Sequence, residues 1–139
     1  MILTDFVVCE DIRHEHGNKL SLMGVFQDQF VISAASPGPI VTRLAVFFRV
    51  LRESDDPQPD SFEVEAAIDG EGIGVFRGTL GTREAGAPIA AALQANPFFI
   101  PRPGQLTFEC RFRSGNQEFA RLAPAFSMNV LVVQAPESK

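Results

Sequence analysis

His14-Glu15-His16 carries both histidines of the chain. At i and i+2, two imidazoles fall on one side of an extended strand, where their neutral ring nitrogens could share a zinc-type ion. Asp11, close by in sequence, could add a carboxylate oxygen. Metal sites need three or four rigidly held ligands, and neither a third histidine nor a known ligand spacing is present. The reading adopted is an exposed polar turn: His14, His16 and Asp11 are the metal candidates, and no cofactor is expected. Cys9 or Cys110 could pair with a histidine as nucleophile and base. Along a strand, however, the five residues from Cys9 to His14 span about 16 Å. Cys110 belongs to an apolar row, where a thiol is inert. G-x-S-x-G, a glycine-rich phosphate loop and H-E-x-x-H are all missing, so no enzymatic activity is expected.

Two further groupings invite a functional reading. Asp55, Asp56 and Asp60 share one loop, and Asp69 and Glu71 another. Carboxylates clustered at the end of a β domain can bind calcium. No EF-hand spacing is present, and Pro57 and Pro59 mark an ordinary solvated loop. Arg43, Arg49, Arg77, Arg111 and Arg113, set among phenylalanines, suggest a platform for single-stranded nucleic acid. Alternation places most rings opposite the arginines, which separates the two components, and the net charge is −5. Cross-strand pairing with Glu63, Glu65 or Glu109 is the simpler use of those arginines, and no nucleic-acid partner is expected.

The elements that hold these residues read as strands. Leu106, Phe108, Cys110 and Phe112 alternate with Thr107, Glu109, Arg111 and Arg113, which predicts a half-buried strand. Phe62 to Ile68 and Phe126 to Val132 repeat the pattern. Leu44 to Leu51 is apolar on both sides, as a central strand is, and Asp5 to Ile12 is similar. Leu20 to Phe26 and Phe30 to Ser33 make one long strand or two short ones, with Gly24 a bulge or bend. Gly17-Asn18, Asp69-Gly70-Glu71-Gly72 and Ser114-Gly115-Asn116 are hairpin turns, and Ser36-Pro37-Gly38-Pro39 stops regular structure. Ala85 to Asn96 has helix propensity in its AAALQA core yet alternates at Ile89, Ala91, Leu93 and Ala95; extended structure is preferred. Seven to nine short strands with turns between them predict an all-β fold. The expected form is a two-sheet antiparallel β-sandwich, immunoglobulin-like in general style, over residues 1–135, with 136–139 a frayed tail.

Composition agrees. The chain has 139 residues, 45% of them hydrophobic and 21% charged, in the range of one globular domain. Its 13 Phe with no Trp or Tyr imply rings that fill a core rather than grip a polar ligand. No apolar run is long enough for a membrane helix, and no membrane partner is expected. The first twelve residues lack Lys and Arg and carry Asp5, Glu10 and Asp11, the reverse of a signal-peptide start. The expected address is a bacterial cytoplasm, where the cysteines stay reduced.

The segment Cys9-Glu10-Asp11-Ile12-Arg13, followed by Gly17-Asn18-Lys19-Leu20-Ser21-Leu22-Met23-Gly24-Val25-Phe26, resembles an uncharacterised family of small bacterial proteins with an N-terminal C-x-D-x-R … G-N-K-x-S-L-x-G-V-F run. The resemblance implies an all-β fold and carries no catalytic residue.

Asn96-Pro97-Phe98-Phe99-Ile100-Pro101 bears on function most directly. Adjacent rings on an extended chain point opposite ways, so Phe98 or Phe99 is expected at the surface. With Leu131 and Val133 on the outer row of the last strand, these are the interface candidates. The expected role is a non-catalytic protein-interaction or structural module, with a protein partner or a second copy, as in a homodimer. The alternative is a small-molecule or metal-binding sandwich using the His14/His16 turn and the acidic loops.

Overall fold

A computed structural model describes residues 1–34, 38–82, 84 and 86–134. Among these, nine strands form: β1 (Ile2–Glu15), β2 (Lys19–Val25), β3 (Gln29–Ala34), β4 (Ile40–Leu51), β5 (Ser61–Ile68), β6 (Glu71–Thr79), β7 (Pro88–Ile100), β8 (Gly104–Ser114) and β9 (Gln117–Gln134). They build two packed sheets, ordered β2-β1-β4-β7 and β3-β9-β8-β5-β6. The all-β two-sheet sandwich is thus the fold. Neighbours pair antiparallel except β3 and β9, which run parallel from Gln29↔Asn129 to Ala34↔Gln134. The 136–139 tail and the Ser36-Pro37 half of the Ser36–Pro39 break lie outside the described residues.

Local chemistry sets the turns. Asp69 (φ +48°) and Gly70 (φ +85°) form a two-residue loop between Ile68 and Glu71, both in the left-handed region that a hairpin turn of this twist demands. Gly17 (φ +78°) and Asn18 (φ +58°), also left-handed, close the β1–β2 hairpin in a three-residue loop with His16 between Glu15 and Lys19. Leu20–Ser33 resolves into two strands in different sheets. The chain passes between sheets after Val25, and Gly24, at φ +67°, supplies the bend. A Cβ at Gly24 would meet only the exposed Glu10 side chain, at 2.9 Å, so it is the backbone conformation that calls for glycine here. The AAALQA segment is extended within β7, where pairing with β4 from Leu44↔Ala95 to Leu51↔Pro88 overrides its helix propensity.

The alternating rows become the core. Phe62, Val64, Ala66 and Ile68 of β5 and Leu106, Phe108, Cys110 and Phe112 of β8 are all buried against Leu44, Val46, Phe48 and Val50 of β4. The Phe48 ring meets Phe62 at 5.1 Å and Phe112 at 6.0 Å, both edge-on, the arrangement aromatic quadrupoles favour. Opposite this core, on the outer face of the five-stranded sheet, the arginines pair across strands. Glu63 faces Arg77 at 3.5 Å, Arg111 at 3.3 Å and Arg113 at 3.7 Å; Glu65 accepts from Arg111 at 2.6 Å; Glu109 lies 3.3 Å from Arg121.

Candidate interaction site

The histidine turn is an open surface. His14 lies in β1 opposite Leu20 and His16 in the turn beyond it, both exposed. Asp11 is occupied locally: its Oδ1 accepts from the Ile12 N–H at 3.0 Å, and Oδ2 stands 3.7 Å from Arg13. Among the described residues no three His, Cys, Asp or Glu side chains converge as a metal would require. The structure therefore does not assemble His14, His16 and Asp11 into a site. A strand alternates its side chains and a turn splays them, so proximity in sequence did not become convergence. The acidic loops serve as caps: Asp60 accepts from the Gly115 N–H at 2.6 Å, Asp69 from the Gln105 N–H at 2.9 Å, and Asp56 from the Glu53 N–H at 3.0 Å.

The two thiols are free, buried and separated by the four-stranded sheet. Cys110 sits in the main core, where burial pushes its pKa up to about 12. Cys9 lies in a second, small cluster with Ile12 and Ala45, on which Leu22, Phe47 and Ala92 pack. Burial raises its pKa too, and its thiol faces the Asp11 carbonyl at 3.4 Å. Thiols so held are poor nucleophiles.

That second cluster has a structural cause. β1 pairs with β4 only from Ile2 to Cys9; beyond Cys9 it pairs with β2 alone. The β1–β2 hairpin thus leaves the sheet as an arm that lays Ile12 and Leu22 over Ala45, Phe47 and Ala92. The Gln94 side chain on β7 donates to the Ile12 carbonyl at 2.5 Å and latches the arm. The sequence carries a trace of this arrangement in Leu44–Leu51, apolar on both sides, since the outward Phe47 needs a cover.

The interface candidates separate. Phe98 is buried, 6% exposed, with its ring stacked on Phe76 of β6 at 6.0 Å and an interplanar angle of 14°. It is a core residue, which corrects its place among the surface candidates: of two adjacent rings on a strand, one must turn inward. Phe99 is 57% exposed, beside its register partner Val41 at 59%. Leu131 and Val133 are exposed on β9, with Val31 of β3 directly opposite Leu131.

The β7 side combines more than an exposed ring. β7 is the last strand of its sheet, thirteen residues long, and PIAAALQANPFFI contains no charge. β6 is the corresponding edge of the other sheet. Between the two edges runs an open groove of about 440 Å³, lined by Ile73, Phe76, Leu93, Ala95, Pro97 and Phe99 among others. Gly74 lines it too, with the Phe98 ring packed over its Cα side at 3.4 Å from where a Cβ would stand. The other edges are less inviting: β2 and β6 carry Lys19, Glu71 and Arg77, and β3 has six residues.

No family model, curated protein or solved structure matches this chain.

Proposed function

We propose that the protein is a non-catalytic interaction module that pairs with a second copy of itself along its β7 side, forming a homodimer. The observation that carries this reading is the long, uncharged β7 edge lying beside the open groove between the two sheet edges. An edge strand presents a row of unpaired N–H and C=O groups, and proteins usually guard such edges with charges or keep them short. Here the edge is long and carries no charged guard; Pro88 and Pro97 are its sole breaks.

Self-pairing suits the geometry. A twofold axis perpendicular to the sheet pairs β7 with its symmetry mate in antiparallel sense, and joins the two four-stranded sheets into one of eight. The same axis brings the groove of one protomer against that of the other, covering Phe76, Leu93 and Phe99. β7 itself carries no charge, and the charged residue lining the groove, Arg77, lies 3.5 Å from the Glu63 carboxylate. A side roughly 40 Å long and 15–20 Å deep buries about 600–800 Å² per partner, near the size of a standard stable interface.

The test is light scattering with sedimentation on wild type and on an Asn96→Lys/Phe99→Lys variant. Both positions are exposed, so the fold tolerates the change, while two lysines restore the guard that edges normally carry. Wild type is expected as a dimer and the variant as a monomer with an unchanged circular dichroism spectrum. A monomeric wild type at about 100 μM, or a variant that remains dimeric, refutes the reading.

A further inference from the structure

The largest open cavity among those described lies on another surface, under the β1–β2 arm. It measures about 670 Å³, within the range of small-molecule pockets. Phe47 and Ala92 of the outer sheet face form its floor, and Leu20 and Leu22 of β2 its wall. Arg49 and His14 stand among its lining residues, and none of these carries a carboxylate. The Arg49 guanidinium lies 5.8 Å from the Phe47 ring centroid, over the apolar floor. Asp5 stands 3.5 Å from one of its terminal nitrogens, which leaves the rest of the planar fork of donors available.

We infer that this groove is a binding site for an amphipathic anion: an apolar chain or ring carrying one carboxylate-type head group. The apolar body fits between the arm and the sheet, against Leu22, Phe47 and Ala92. The head group pairs with Arg49, whose geometry matches a carboxylate in two parallel hydrogen bonds, and His14 offers a further ring N–H. Charge complementarity selects the sign, since the lining provides a guanidinium whose one carboxylate neighbour, Asp5, lies outside the groove and meets a single terminal nitrogen. The site is held open by the fold itself. The arm is latched at Gln94 and leaves β4 after Cys9, so its outer half stands over the sheet without pairing to it. Nothing here rests on dimerisation: the groove opens on the face of the sheet, and the β7 pairing uses its edge.

The probe is octanoate, titrated into the full chain while backbone amide shifts are followed, with octanol as the neutral analogue of equal chain length. Saturable shifts, one octanoate per chain, are expected at Leu22, Phe47 and Ala92, with octanol at least tenfold weaker. Arg49→Gln should weaken octanoate about tenfold and leave octanol unchanged, which a merely structural role for Arg49 would not do. Ala90→Phe, an exposed position in the groove, should block both ligands. Arg49 is half exposed, so R49Q keeps the test valid should A90F prove unstable. Shifts confined to other surfaces, equal affinity for octanoate and octanol, or undiminished octanoate binding by R49Q would each overturn the assignment.

Discussion

The cysteines show how position decides chemistry at the scale of single residues. A thiol ionises near 9.0 when solvated, and burial in the sandwich core pushes Cys110 up to about 12. The folded state therefore favours the protonated thiol. That contribution is fully present below pH 9 and is lost as pH rises from 9 towards 12. Between pH 9 and 10 the loss is about 1 kcal/mol, and urea titrations at the two values should show that drop in wild type. A Cys110→Ala variant, less stable overall, should lack this part of the slope. Phe98 and Phe99 teach a related lesson. They are identical in type and adjacent in sequence, yet one stacks on Phe76 in the core and the other faces outward. Alternation established that they differ; only the packing of β7 against β6 established which is which.

At the scale of elements, the polar face of the five-stranded sheet works as a ladder centred on Glu63. Three guanidiniums, Arg77, Arg111 and Arg113, lie 3.3–3.7 Å from one half-buried carboxylate. The Nε atoms of Arg111 and Arg113 are buried without a hydrogen-bond partner, so the ladder already runs short of acceptors. Removing the central one by Glu63→Ala should destabilise the domain by about 1–2 kcal/mol in thermal or urea unfolding. The deficit should shrink in 1 M salt as the remaining cations are screened. Pairing of these arginines with Glu63, Glu65 and Glu109 was legible from alternation, because residues on one face of neighbouring strands must meet. The β1–β2 arm was not legible. Its strand and turn signals are ordinary, and its departure from β4 after Cys9 depends on where β4 stops pairing. The groove beneath it, with Phe47 and Arg49, escaped sequence reasoning for that reason.

For the whole molecule, the distribution of charge separates the two ways the protein is proposed to act. Charged pairs cluster on the outer face of the five-stranded sheet, while the β7 edge has none. Association through β7 should therefore be nearly indifferent to ionic strength. Dimer dissociation constants measured by sedimentation at 50 and 500 mM salt are expected to agree within about threefold. A steep salt dependence would place the contact on the charged face instead. The sequence by itself determined most of the strands, though not β6 or the first half of β9, together with the hairpin turns, the inward rows and hence a two-sheet sandwich. Periodicity and turn chemistry act over a few residues, and one apolar face per strand leaves a sheet nothing to do but cover another. The tertiary structure alone decided the strand order, the parallel β3–β9 pair, the choice of β7 as a long bare edge, and the groove under the arm. Each depends on which distant segments meet, and pairing between remote strands leaves no local mark in the chain.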